Sequence, residues 1–393
     1  VVAVASGGCA APDGALPDHA LPAGAAAADS IVRDWVETRR VPGAVLLVSR
    51  HGEIEVFRAY GNAMAMHVPD ATLGDGPVGA ADRQEAPSPV ALATPVPMTP
   101  ETVFDLASVT KVMATTMAVM LLVDRGELDL DAPVARYLPD FTGGAKGDIT
   151  PRHLLTHRSG LSQLAWPVGE ARHYSDLGFM VLGRVVEAVG GDSLDAWLTR
   201  ELYLPLGLAH TRFTPAPTVD PFAATSHGNP FERRMVHDPD FGYRIDIDPD
   251  SWSGWRAYTL AGEVNDGNAH HAFGGVAGHA GLFSTAGELH TLLRLLLDGG
   301  THEGTRVFAS GVVDTFLQSS GDGQALGWQL PDYASPGAFA HTGFTGTFVL
   351  GDPTTGTAVV LLTNRQNHGV DASTSYPDVG PLQRGVAEAV TRD

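Results

Sequence analysis

Cysteine occurs once, at Cys9, so no intrachain disulfide can form. No apolar run is read as reaching the roughly 18 residues that cross a bilayer. The longest, Val112 to Val123, is interrupted by Thr115 and Thr116 and reads as a buried helix. Positive charge is scarce: the net charge is −20, which argues against a nucleic-acid partner. Lysine is scarcer still, with Lys111 and Lys146 alone against 23 arginines. A hydrophobic content of 44% over 393 residues excludes a disordered chain and suffices for a sizeable core.

Residues 1–30 are small, apolar and rich in Ala, Pro and Gly. They read as the remnant of an export signal followed by a disordered tether. "SGGC" makes Cys9 a candidate lipid anchor, although Ser6 stands where such signals carry a Leu-like residue. The alternative is a disordered N-terminus in which Cys9 has no role.

Two hairpins stand out, Ala44 to Gly61 around "RHGE" and Gly346 to Asn364 around Asp352-Pro353-Thr354-Thr355-Gly356. Helical patterns follow Ser108, span Asp176 to Gly191 and Ser284 to Gly300, and close the chain at about Val379 to Thr391. Ala63 to Pro100 and Pro215 to Ala269 read as long loops. The expected fold is therefore α/β (α+β). An antiparallel sheet built from the N- and C-terminal segments is flanked by helices and carries an inserted, mostly helical subdomain. One domain spans 31–393, with sheet parts at about 31–107 and 270–393 and a helical part at about 108–269.

Ser108 and Lys111 are three apart on one helix and share a face. A serine in the first turn meets free backbone N–H groups. A lysine entering an apolar helix is desolvated, which lowers its pKa, and unlike arginine it can give up its proton. Tyr174 in "HYSDLGF" precedes a helix, and its phenol can relay protons beside an ammonium. The bland alternative for each is a cap, a solvent-seeking lysine and a core tyrosine. "HTGFTGTFVL" places His341, Thr342 and Gly343 before an apolar strand, where glycine permits close backbone approach.

The order S-x-x-K, Y-x-x, H-T-G resembles the serine β-lactamase and penicillin-binding-protein superfamily from about Ile31 onward. "FDLASVTK", "HLLTHRSGL", "YSDLGF" and "GGVAGHAGLFSTAGEL" add to the resemblance. It looks most like the class C β-lactamase-like branch, with its D-alanyl-D-alanine carboxypeptidases, D-aminopeptidases and esterases. The resemblance implies Ser108 as the acylated nucleophile, with Lys111 and Tyr174 sharing the proton transfer. It implies backbone N–H groups of Ser108 and Phe344 as the oxyanion hole. Asp176, His341, Thr342 and Gly343 would then contact the substrate, with His341 and Thr342 on its carboxylate side, and no cofactor is called for.

Two departures qualify it. Asp176 stands where the branch usually has asparagine, and its charge can pair with Lys111 and raise the lysine pKa. His341 replaces the lysine of β-lactamases, which favours D-peptidase or esterase chemistry on a small-molecule or peptide substrate. An unperturbed His341 would make carboxylate preference depend on pH between 5.5 and 8. The expected function is an exported serine hydrolase working through an acyl-enzyme. The alternatives are a weak class C-like β-lactamase, a non-turnover penicillin-binding sensor, or a scaffold disabled by Asp176. His237, His270, His271 and His279 with Asp238 and Asp266 lack metal-motif spacing, so no metal site is assigned. Trp252 and Trp255 in "SWSGW" either line the cleft or pack a loop.

Overall fold

The computed structural model describes residues 21–69, 88–161, 167–216, 220–242 and 246–392. Its strands are β1 (Gly43–Arg50), β2 (Glu53–His67), β3 (Val90–Pro97), β4 (Phe104–Asp105), β5 (Arg212–Phe213), β6 (Leu282–Ser284), β7 (Thr301–His302), β8 (Thr305–Arg306), β9 (Phe339–Thr342), β10 (Thr347–Asp352) and β11 (Thr357–Thr363). Six of them form an antiparallel sheet in the order β3-β2-β1-β11-β10-β9. The two chain ends thus meet at the sheet centre, where β1 pairs with β11. His51 and Gly52 both have positive φ, as a two-residue hairpin turn demands.

The helices are α1 (Ala23–Glu37), α2 (Met117–Asp124), α3 (Pro151–Leu155), α4 (Asp176–Gly190), α5 (Leu194–Leu198), α6 (Pro230–His237), α7 (Gly267–Phe273), α8 (Ala286–Leu297), α9 (Ser310–Leu317) and α10 (Gly380–Thr391). Val32 and Trp35 of α1 and Val386 and Val390 of α10 cover one sheet face, over Leu46, Val48 and Leu361. Leu289, Leu292 and Leu296 of α8 cover the other, over Val45, Leu47 and Val360. Covering both faces explains why β1 is apolar without alternation.

Several expectations are corrected. Ala23–Ser30 belong to α1 and pack on the sheet, so that part is no disordered tether; Cys9 lies outside the described residues. β2 runs on to His67 and pairs with β3, so Ala63–Pro100 is not one loop. Pro95 and Pro97 hid β3, and both are tolerated because β3 is an edge strand. The 215–269 stretch contains α6, the short helical turn Pro249–Ser251 and the start of α7. Ala107–Asp124 is an 18-residue helical run apolar enough to cross a membrane, longer than the sequence reading allowed, yet 83% of it is buried in the protein.

Candidate active site

The turn Ala107–Val109 carries Ser108 out of β4 into a π-helical segment, Lys111–Thr116, which continues as α2. Such π-helical turns concentrate at functional sites. Ala107 holds φ +45°, a left-handed conformation that a side chain disfavours. Asp105 fixes it: Oδ1 accepts from Ala107 N at 2.8 Å while Oδ2 accepts from Asn265 N at 2.6 Å. Burial pushes the Asp105 carboxyl up to about 6.

Lys111 is fully buried. Its Nζ donates to Ser108 Oγ at 2.8 Å and to His279 O at 3.1 Å, and it pairs with Asp176 Oδ1 at 2.7 Å. Burial acts to lower the lysine pKa, as the sequence suggests, but its interactions with Tyr174 and Asp176 outweigh it and the net shift is upward. Of the two opposing expectations, burial does not prevail, and the net direction is the one expected from pairing with Asp176. Asp176 opens α4, where the helix dipole favours a carboxylate.

Tyr174 is 46% exposed, and its ring centroid lies 5.1 Å from Lys111 Nζ. His157 packs against it at 4.5 Å between centroids and accepts from Ser175 N at 3.1 Å through Nδ1. Burial, then the Lys111 charge, drops the His157 pKa to about 3, so the ring is neutral.

The turn after β9 is fastened to the Ser108 turn. Thr345 Oγ1 donates to Asp105 O at 2.7 Å and Thr347 Oγ1 to Leu106 O at 2.9 Å. A Cβ on Gly343 would stand 2.1 Å from Thr347 Oγ1 and 2.4 Å from Leu106 O. Gly343 therefore lets two backbones approach, with Phe344 on the same cavity wall as Ser108, the pair expected to form an oxyanion hole.

A cavity of about 340 Å³ is lined by Ser108, Tyr174, Thr342, Gly343 and Phe344. Gln329, Arg365, Asp378, Val379, Gly380 and Gln383 complete its wall. His341 is not part of that wall. Its ring is 1% exposed, its Nδ1 lies 2.9 Å from Thr342 O, and burial with the Lys111 charge drops its pKa to about 3. The expected pH-dependent charge at His341 is thus absent, because the imidazole stays neutral across that range. The sequence patterns assign no role to Asp105, His157 or Arg365. An acid inside "VFDLA" was the one signal for Asp105.

The loop histidines do not converge. His237 pairs with Asp250 at 3.2 Å, His270 with Glu263 at 3.7 Å and His279 with Asp266 at 3.1 Å. Among the described residues no group of three or more His, Cys, Asp or Glu side chains could hold a metal ion. Trp252 packs on His271 and Trp255 on Arg233, away from the cavity wall.

The beta-lactamase family profile matches residues 28–379. An N-acetylmuramyl-L-alanine amidase of Bacillus subtilis (strain 168) is 30% identical over 388 residues, covering 86% of this chain and 80% of its own. A protein of Escherichia coli (strain K12), named provisionally as a D-alanyl-D-alanine carboxypeptidase, is 30% identical over 340 residues, covering 74% of this chain and 75% of its own. The solved structure of EstCE1, titled a hydrolase with promiscuous acyltransferase activity, shares the fold at a TM-score of 0.64 and 22% identity, over 94% of this chain and 98% of that one. With the match spanning most of the chain, this protein belongs to the beta-lactamase family and is a serine hydrolase.

Proposed function

We propose that the protein hydrolyses cell-wall-derived peptides or related small esters through an acyl-enzyme on Ser108. The observation that carries this reading is the buried Lys111 Nζ, 2.8 Å from Ser108 Oγ. Ser108 Oγ loses its proton and bonds the substrate carbonyl carbon. The carbonyl oxygen takes the charge and is held by the N–H groups of Ser108 and Phe344. Collapse breaks the bond to the amine or alcohol, which leaves with a proton. Water then cleaves the acyl ester and frees Ser108.

Lys111 and Tyr174 divide the proton work. The upward shift of Lys111 favours an ammonium that donates to Ser108 Oγ beside the Tyr174 hydroxyl. Tyr174, exposed on the cavity wall, then takes and returns the proton. The relatives' names support D-alanyl-D-alanine or muramyl-peptide substrates. They also support a cell-envelope location, with Cys9 as the candidate anchor.

Intact-mass spectrometry after incubation with a chromogenic ester, a β-lactam and a D-Ala-D-Ala peptide tests the reading. An adduct mapped to Ser108, absent in Ser108→Ala, is expected, with turnover of ester or peptide. Stable labelling by the β-lactam without turnover would favour a sensor. An adduct on another serine would overturn the assignment.

A further inference from the structure

His341 is neutral and off the cavity wall, so something else must meet an anionic substrate if one binds. The Lys111 charge is committed to Asp176 and Ser108. One cation remains on the wall among the described residues, Arg365. It follows β11 directly, at the start of the turn Arg365–His368, on the same cavity as Ser108.

Its surroundings hold the guanidinium still without neutralising it. Nε donates to Phe344 O at 2.9 Å and Nη1 to Pro377 O at 2.8 Å. The Phe344 ring lies under it at 5.3 Å. A guanidinium has five N–H donors, so three remain after these two bonds. Among the described residues no carboxylate lies within ion-pairing distance of it; Asp378 is the nearest acid on the wall, and its Oδ1 accepts from Gly380 N at 2.9 Å. Burial moves the arginine pKa down, and Asp378 and Tyr376 oppose that shift. A fixed planar fork with spare donors matches a carboxylate.

We infer that Arg365 is the carboxylate-binding residue of this cavity, and that the preferred substrate carries a free α-carboxylate on the part that lies against the β9–β10 turn. Thr342 and Gln329 offer further polar groups on the same wall. The assignment rests on the reading of Ser108 as the acylated serine. It replaces His341 in the role that the motif order suggested.

The test compares a D-Ala-D-Ala peptide ending in a free carboxylate with its C-terminal amide. The wild-type protein should prefer the acid in kcat/KM by about tenfold or more, the scale of one charged hydrogen-bonded contact. That ratio should stay flat from pH 5.5 to 8.5, because arginine keeps its charge. Arg365→Gln should collapse the ratio toward one, and Arg365→Lys should restore part of it. Asp378→Asn should raise the ratio, since it removes an opposing charge while keeping an oxygen for Gly380 N. Equal losses on both substrates in Arg365→Gln would mean that the arginine only supports the Phe344 loop, and would overturn the inference. A ratio that falls between pH 5.5 and 8 would return the role to a histidine. The same pair is measured as equilibrium binding to Ser108→Ala, where no chemistry is needed. A preference for the acid that Arg365→Gln abolishes sustains the inference even if Ser108 proves unreactive. Equal binding of acid and amide there would overturn it.

Discussion

At Lys111 two forces of opposite sign meet. Full burial favours the neutral amine, while Tyr174 and Asp176 favour the ammonium and prevail. Asp176 therefore acts on the lysine by favouring its charged form. Asp176→Asn removes the carboxylate partner, so the Lys111 pKa should fall. The alkaline limb of the kcat/KM profile for a neutral ester, where the ammonium is lost, should move to lower pH by about one unit or more, the shift typical of an ion pair at this range. A limb that stays in place would show that Asp176 does not control the charge on Lys111. Much of this site was legible in the sequence. Ser108 and Lys111 stood out because a local helical spacing and a rare residue type coincided. The fate of His341 was not legible, because whether an imidazole is solvated depends on packing by groups such as Tyr174, which lies more than 160 residues earlier in the chain. Arg365 was hidden for the same reason, being one arginine among 23 until the fold sets it on the same cavity wall as Ser108.

At the scale of elements, the site depends on how closely β9 and its turn approach the segment entering α2. Gly343 is the contact point, and its backbone needs no left-handed φ; the demand is for space alone. Gly343→Ala should lower stability by about 1–3 kcal/mol through overpacking. It should also slow acylation of Ser108, because the Phe344 N–H is pushed outward. Thermal unfolding and the rate of adduct formation measure the two effects separately. Gly311→Ala provides the contrast. It sits in α9 with nothing within 4 Å of its added Cβ, and it should be neutral or stabilising by up to about 1 kcal/mol, with acylation unchanged. Equal behaviour of the two variants would remove the close-approach account. The hairpins and the long helices were legible because turn residues and periodicity are local signals. β3 and α6 were not: both sit in stretches rich in Pro, Gly or charge, and partners distant in the chain hold them. For β3 the partner is β2; α6 is tied through Glu232, whose Oε1 accepts from Gly267 N at 2.8 Å.

For the molecule as a whole, buried titratable groups set a pH dependence with two opposing parts. His157, His290 and His341 have folded pKa values near 3, 4 and 3, chiefly because burial opposes their charge. Below about 6.5 the unfolded chain binds protons that these rings refuse, so they lower stability as pH falls, each by up to about 1.4 kcal/mol per unit. Asp105 and Glu232 do the reverse. Burial raises them to about 6 and about 7, so the folded state keeps protons that the unfolded state releases above about 4.5. Their contribution shrinks as pH rises from about 4.5 to 7. Between pH 7 and 4.5 the two parts partly cancel, and His153, His227, His270, His271 and His368, also held below the ordinary imidazole range chiefly by burial, tip the balance toward loss. Below about 4 the carboxyls are protonated in both states, while His157 and His341 still resist. Asp29 and Asp266, held below the ordinary carboxylate range, add to the same loss. In Asp29 the hydrogen bonds from Tyr60 and Arg58 overcome burial; in Asp266 the contacts from His279 do so. The urea midpoint should therefore fall gently from pH 7 to 5 and steeply below 4. Glu232→Gln keeps an acceptor for Gly267 N but removes one opposing carboxyl, so its midpoint should fall more steeply than wild type between pH 7 and 5. His290→Gln removes one ring and should flatten the same interval. Superimposable profiles for the two variants and the wild-type protein would show that these buried groups do not govern acid stability.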